Sequence, residues 1–166
     1  HGEFIQEIKG GNATLEQSEK AVKWAHEAKI QTAGYFMIGL PNETPATIRK
    51  TIDFAKKLDC TYATFSITMP FPGNKLYDEA VKSGLIQLDD TWEKFVYGGV
   101  GVGGIQAPVL TTDSLAASDL EYWTKKAFRE FYLRPSYIMK KLLSVRSLND
   151  LRTYYNGYRM MKKDTV

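Results

Sequence analysis

The chain has 166 residues, enough for one hydrophobic core with an appendage. Its 43% apolar and 25% charged residues are ordinary for a soluble globular domain, and no apolar run reaches the length of about 18 residues needed to cross a membrane. The single cysteine, Cys60, excludes an internal disulfide and a metal site built from several cysteines, and we interpret it as a buried, unreactive thiol.

The net charge of +3 is unevenly distributed. The segment from Lys125 to Lys163 contains eleven Lys and Arg residues and only two acidic residues, a local net charge of +9. The rest of the chain therefore carries a net charge of −6. Such asymmetry is typical of a surface for nucleic acid, anionic lipid or an acidic partner domain. Because no basic and apolar leader opens the sequence, we expect a cytoplasmic protein.

Residues 1–13 are polar and contain Gly10-Gly11, so we interpret them as a frayed lead-in, in part an addition to the natural chain. Thr14 then begins a helix to about Ala28, because Thr14 and Gln17 have the spacing of a capping box. Ala33 to Leu40 is a short apolar run that fits a strand buried on both faces. Thr44-Pro45 is a strong signal for the start of a helix to about Leu58.

The second strand, Tyr62 to Met69, alternates between an apolar face and a smaller, more polar face. Pro70–Gly73 ends it, and a helix follows from Asn74 to Ser83. Residues 85–111 show no period and are predicted to be loop. Thr112 or Asp113 is predicted to cap a long helix to Leu133, with further helical segments near 136–145 and 148–161.

Strands that alternate with helices predict adjacent parallel strands joined by right-handed crossovers. Two strands alone make a poor core, because a parallel pair needs cover on both faces and neighbours at its edges. The fold class is therefore α/β: residues 14–84 are a partial (βα) barrel fragment or a piece of a larger sheet, residues 85–111 are a loop, and residues 112–166 are a basic, all-helical extension.

The loop Gly39–Thr44 lies where the first strand ends and a helix begins, so its backbone N–H groups could meet an anionic or polar ligand. A plain turn with a helix cap is the alternative. Gly99–Gly104 matches GxGxxG formally, but no clear strand precedes it and no helix follows, so a mobile loop is the better interpretation. His26 has no second ligand at a metal spacing, and Asp89-Asp90 is more typical of a turn.

The loop Gly39–Thr44 (GLPNET), followed about thirty residues later by Pro70–Tyr77 (PFPGNKLY), resembles the later part of the radical S-adenosylmethionine (radical SAM) superfamily core. The resemblance is closest to the branch in which a cobalamin-binding domain often precedes that core. Phe131–Pro135 (FYLRP) and the basic helices after it resemble the carboxyl-terminal extension of that branch. The resemblance covers about residues 8–160.

The resemblance implies a (βα)6 barrel of which this chain supplies the fourth helix and the fifth and sixth strand–helix units. The CxxxCxxC triad that holds the family's 4Fe–4S cluster is absent, and one cysteine cannot hold such a cluster. The parent would be an enzyme that cleaves S-adenosylmethionine reductively or, with cobalamin, transfers methyl groups. The fragment alone would be inactive and would bind none of these cofactors.

The resemblance also implies which residues would face the cofactor. Inward positions of the fifth strand correspond to Tyr35 and Met37, although the family more often has a small or acidic residue where Tyr35 stands. The loop glycine is Gly39, and the end of the sixth strand supplies the remaining predicted contacts, which are Ser66, Thr68, Met69 and Pro70. The alternative for both strands is that these side chains only pack inside the barrel and contact no cofactor.

Two other functions stay open from the sequence: a stand-alone, non-catalytic α/β binding or scaffold module, and half of a phosphate-binding (βα)8 enzyme. Three kinds of partner are expected. They are the missing amino-terminal half of the barrel, a second copy of the chain through the exposed edge of the first strand, and an anionic surface or partner domain for the basic helices.

Overall fold

The computed structural model describes residues 14–84 and 115–145 and, from the tail, residues 147, 150, 152, 154–157 and 159. Along the chain the elements are α1 (Leu15–Glu27), β1 (Ala33–Ile38), α2 (Pro45–Leu58), β2 (Tyr62–Ile67), α3 (Lys75–Lys82), α4 (Ala117–Tyr132) and α5 (Pro135–Leu143). The predicted lead-in over 1–13, the loop over 85–111 with its GxGxxG match and Asp89-Asp90, and much of the last predicted helix lie outside the described residues.

Side-chain caps fix the starts of the first three helices as the sequence predicts. The N–H of Gln17 donates to the hydroxyl of Thr14, and the N–H of Thr14 donates to Gln17 in return, which completes the capping box of α1. Thr44 caps α2 in the same manner with Thr47, and Pro45 occupies the first turn. Asn74 accepts the N–H of Tyr77 at the start of α3.

β1 and β2 are adjacent and parallel, as predicted, and their register pairs Ala33 with Tyr62 and Ile38 with Ile67. Two backbone hydrogen bonds bracket the ladder, from the N–H of Tyr62 to Thr32 and from the N–H of Thr68 to Ile38. The described residues therefore form a mixed α/β unit with a two-stranded parallel sheet. The barrel that would contain this sheet stays a prediction.

The hydrophobic core lies on one face of the sheet, between the strands and helices α2 and α4. Phe65 of β2 stacks on Phe36 of β1 and meets Phe131 of α4 edge-on. The fully buried side chains of this core also include Ile38, Ile48, Ile52, Ala55, Leu120 and Ala127. The predicted apolar stripe of the long helix is thus correct from Leu120 to Phe131. The apolar face of β2 is buried at Ala63 and Phe65, but Ser66 and Thr68 of its more polar face are buried as well.

The other face of β1 is open, which corrects the prediction of a strand buried on both faces. Tyr35 is 77% exposed and Met37 is 50% exposed, and Ala33 is exposed as well. Helices α2 and α4, which supply the core, lie on the opposite side of the sheet. An apolar run predicts a strand, but it does not show which face of that strand is covered by other elements.

Helix α4 begins at Ala117, later than the predicted cap at Thr112 or Asp113. Ala116 has extended backbone, and its N–H donates to the carboxylate of Asp119 at 3.0 Å, which provides the start of the helix. At its other end Leu133 closes the helix and Pro135 opens α5. Among the described helices none is long and apolar enough to cross a membrane.

Ion pairs connect the extension to the strand–helix units. Glu130 of α4 accepts both a bidentate contact from Arg49, at 2.7 and 2.8 Å, and a hydrogen bond from Lys56 at 3.0 Å. Asp59, the left-handed residue after α2, pairs with Arg134 and Lys140. These ion pairs therefore fasten the extension to α2 and to the residue that ends it.

Candidate functional site

The carboxyl ends of β1 and β2 lie side by side and lead into the loops 39–44 and 68–74. The register places Tyr35 beside Thr64 and Met37 beside Ser66 on the face away from the core, which is exposed at Tyr35 and Met37 but buried at Ser66. Alternation along β2 continues this face to Thr68, whose N–H extends the ladder to Ile38 at 2.7 Å. The structure thus brings together Tyr35, Met37, Ser66 and Thr68, four of the residues predicted to face a cofactor.

Gly39 ends β1 with a backbone φ of +88°, a conformation that side chains rarely adopt. A Cβ at this position would lie 3.0 Å from Cδ2 of Leu120 in α4. Glycine is therefore required here both for the turn and for the close approach of the extension. This loop places backbone groups at the sheet edge, where the prediction expects a ligand.

Glu43 holds the conformation of this loop, a role that the sequence analysis did not predict. Its buried carboxylate accepts the N–H of Gly39 at 2.5 Å and the N–H of Leu40 at 3.2 Å. Burial raises the pKa of Glu43, and the two N–H groups oppose that rise. An acidic residue four positions after the strand-ending glycine was the only available signal in the sequence.

Thr68 is almost completely buried, and its hydroxyl has no hydrogen-bond partner among the described residues. A buried hydroxyl without a partner is costly, so native proteins usually satisfy it with another group or a ligand. Next to it Met69 is half-buried and Pro70 is fully buried. The predicted contacts at the end of β2 therefore include a buried polar atom without a partner among the described residues.

A cleft of about 490 Å³ lies at the opposite, amino-terminal end of the strands. Its lining includes Cys60, Tyr62, Tyr137 and Lys141. Burial raises the pKa of the Cys60 thiol, which keeps it protonated and a poor metal ligand, in agreement with the predicted inert role. We place the candidate site at the loops rather than in this cleft, because the unsatisfied hydroxyl and the strand ends are there.

No metal site is evident in the part of the chain that the structure describes, where no three His, Cys, Asp or Glu side chains cluster. His26 is exposed on α1, without such a cluster around it. What the arrangement offers is a half-open wall: an aromatic and a thioether side chain on β1, hydroxyls on β2, and a glycine loop held by a buried carboxylate.

Comparisons with known proteins give several relatives, although no family model matches the chain. An uncharacterized methyltransferase of Pyrococcus horikoshii is 34% identical over 162 residues, which cover 92% of this chain and 33% of the relative. The bacteriochlorophyllide d C-8(2)-methyltransferase of Chlorobaculum tepidum is 27% identical over 145 residues, 87% of this chain and 30% of the relative. The anaerobic magnesium-protoporphyrin IX monomethyl ester cyclase of Rubrivivax gelatinosus is 23% identical over 125 residues, which cover 75% of this chain and 20% of the relative.

The homologues of this chain therefore include methyltransferases and a cyclase. The chain spans about a third of the length of the curated relatives it matches, or less. The similarity covers both strand–helix units and most of the extension in the first two relatives, because it includes 92% and 87% of the chain.

Proposed function

We propose that this chain is the carboxyl-terminal part of the catalytic barrel of a radical SAM enzyme, closest to the cobalamin-associated branch, whose parent protein carries out methyl transfer or a related group transfer. The motifs at Gly39–Thr44 and Pro70–Tyr77 support the superfamily, and the methyltransferases and the cyclase among the relatives support the chemistry. The observation that carries the proposal is the buried, unsatisfied Thr68 hydroxyl at the end of β2, next to the face that Tyr35 and Met37 leave exposed on β1.

The residues present fit the adenosine part of S-adenosylmethionine. Adenosine combines a flat ring with several hydrogen-bonding atoms, and the wall combines apolar side chains at Tyr35 and Met37 with the hydroxyl of Thr68. In this proposal Thr68 contributes a hydrogen bond, Met37 contacts the ring, and Gly39 shapes the loop that follows β1 beside the ligand. Bound there, S-adenosylmethionine would supply an activated sulfonium whose methyl or adenosyl group can be transferred.

A 4Fe–4S cluster does not fit the residues of this chain. Cys60 is its only cysteine, is buried, and precedes β2 at the end of the sheet away from the loops. Such clusters need several thiolates, so their ligands would come from another part of the parent protein. The role of this chain is then to bind and orient the adenosyl group, and to supply one wall of the chamber.

A backbone NMR titration of the labelled 166-residue chain with S-adenosylmethionine tests the proposed wall. The sequence alone predicts that the fragment binds no cofactor, but a wall with an unsatisfied hydroxyl should hold S-adenosylmethionine weakly. We expect shifts confined to the amides around Gly39 and Thr68, because both strand ends contact the same ligand. Thr68→Val should weaken this binding at least about fivefold, which corresponds to one hydrogen bond. Thr51→Val on α2, whose hydroxyl only donates to its own helix at Thr47, is the matched control.

Shifts centred on the cleft at Tyr62 and Lys141 would place the ligand at the wrong end of the sheet and refute the proposed wall. Equal affinity of the Thr68→Val variant would remove the role of that hydroxyl. Binding of inorganic phosphate at Gly39–Thr44, with no response to S-adenosylmethionine, would instead favour a phosphate-binding barrel.

A further inference from the structure

The outward face of α5 is apolar, the reverse of an ordinary surface helix. Its four apolar side chains are between 42% and 80% exposed, and they are Ile138, Met139, Leu142 and Leu143. At about 100° per residue these four fall within one arc of the helix. We call this set the α5 apolar face. Contiguous exposed apolar surface of this kind usually marks a contact site.

The inward face of α5 explains why the apolar residues point outward. Tyr137 packs on Phe131, with ring centroids 5.6 Å apart, and its hydroxyl donates to the carbonyl of Thr61 at 3.1 Å. Lys141 lies inward as well, with Nζ 4.7 Å from the ring centroid of Tyr62. Tyrosine and lysine thus anchor the helix to the sheet, and the four apolar side chains stay unpaired on the other side.

Charge selects between the occupants that could cover this face. The segment from Lys125 to Lys163 carries an excess of +9, and within it the side chains of Lys140, Arg152 and Arg159 are exposed. Two copies joined through this face would bring like charges together, which costs energy. An anionic surface would be attracted by the same charges.

The side chains also favour lipid over a protein partner. The α5 apolar face consists of aliphatic and thioether groups, whereas binding energy at protein interfaces is concentrated in Trp, Tyr and Arg. Flexible aliphatic groups beside cationic ones are the composition of helices that lie in the headgroup region of a bilayer. The helix has nine residues, too few to span, so it would lie parallel to the surface.

We propose that the α5 apolar face, together with the basic residues after it, is a peripheral contact for a membrane with anionic headgroups. Leu142 and Leu143 would enter the boundary between headgroups and acyl chains, while Arg152 and Arg159 contact lipid phosphates. This contact is independent of the proposed cofactor wall, because it uses none of the residues at the carboxyl ends of β1 and β2.

Vesicle flotation of the 166-residue chain tests this contact. We expect the chain to float with phosphatidylcholine vesicles that contain phosphatidylglycerol, to bind phosphatidylcholine alone at least about tenfold more weakly, and to be released by salt. The double variant Leu142→Ser/Leu143→Ser should reduce binding at least about tenfold, because two buried leucines are lost. Trp24→Ser on α1, a residue that is 64% exposed, is the matched control and should bind like the wild type.

A second variant separates charge from apolar contact. Arg152→Glu/Arg159→Glu should remove the preference for anionic vesicles and leave the helix content unchanged, since both side chains are exposed. Equal binding to neutral vesicles, or full binding by the leucine double variant, would overturn the proposal. Absence of vesicle binding together with a dimer that the double variant abolishes would assign the face to a second copy and also overturn it.

Discussion

The hydroxyl of Tyr132 accepts the N–H of Ala63 at 2.9 Å and donates to the carbonyl of the same residue at 2.8 Å. Successive residues of a β-strand direct their backbone N–H and C=O groups to alternate sides of the strand. In β2 the N–H groups of Tyr62 and Thr68 point at β1, so the backbone groups of Ala63 point to the outer edge of the sheet. Tyr137 reaches the carbonyl of Thr61 nearby. The helical extension therefore satisfies part of the free edge of β2, where another strand could otherwise pair.

Replacing Tyr132 by Phe should lower the free energy of unfolding by about 1–3 kcal/mol, because both backbone groups of Ala63 would lose their partner in a half-buried position. Urea denaturation measures the change. Tyr122→Phe is the control on the same helix, since that exposed hydroxyl contacts only Lys126 among the described hydrogen bonds. Equal losses for the two variants would contradict the edge-capping role.

Gly39→Ala should destabilise the fold by about 1–3 kcal/mol, because the backbone φ is +88° and the new methyl group would press on Leu120. Thermal or urea unfolding reports it. The matched control is Gly157→Ala, where a methyl group meets nothing within 4 Å. If both substitutions prove neutral, the loop does not hold the conformation described.

Glu43 makes folding stability depend on pH with a defined sign. Burial raises its pKa in the folded state above the ordinary 4.5, although the N–H groups of Gly39 and Leu40 oppose this. The folded state therefore holds the proton more tightly, and the contribution of Glu43 to stability falls as pH rises from about 4.5 through the raised pKa.

Glu43→Gln cannot ionise, so the free energy of unfolding of the wild type minus that of the variant should decrease across this window and then level off. Urea unfolding at a series of pH values measures the difference. Glu27→Gln on the surface of α1 controls for the general effect of replacing a glutamate by glutamine. A difference that grows with pH would mean that the N–H groups outweigh burial.

The 166-residue chain alone should bind no iron, because Cys60 is its single cysteine. Anaerobic reconstitution with iron and sulfide, followed by visible absorption and iron analysis, checks this. Cys60→Ala is the control and should behave identically. A stoichiometric four-iron signal in the wild type would refute the prediction.

Self-association through the outer edge of β1 is a further prediction. Among the described residues that edge has no paired strand, and Tyr35 and Met37 leave the neighbouring face open. Sedimentation at micromolar concentration should show a dimer that persists in the Leu142→Ser/Leu143→Ser variant, since α5 lies elsewhere. A clean monomer with protected β1 amides would exclude this contact.

Local rules in the sequence predicted the starts of α1, α2 and α3 and the parallel strand pair, but not the start of α4. Thr14 and Thr44 bring their own capping partners a few residues away, and alternation in β2 separated the buried Ala63 and Phe65 from the polar side. The open face of β1 was not predictable, because it depends on which helices cover the sheet. The roles of Glu43 and Tyr132 also require three-dimensional proximity, in the second case across 69 residues of chain.

The central claim is that this chain forms the cofactor wall of a radical SAM enzyme. The most direct test uses the full-length protein translated from the gene that encodes these residues, reconstituted anaerobically, reduced and given S-adenosylmethionine. We predict an upstream CxxxCxxC, about four iron atoms per chain, and turnover of S-adenosylmethionine to 5′-deoxyadenosine or S-adenosylhomocysteine, with weaker cofactor binding in Thr68→Val than in Thr51→Val. A full-length protein that lacks the triad, binds no iron and leaves S-adenosylmethionine intact would contradict the account.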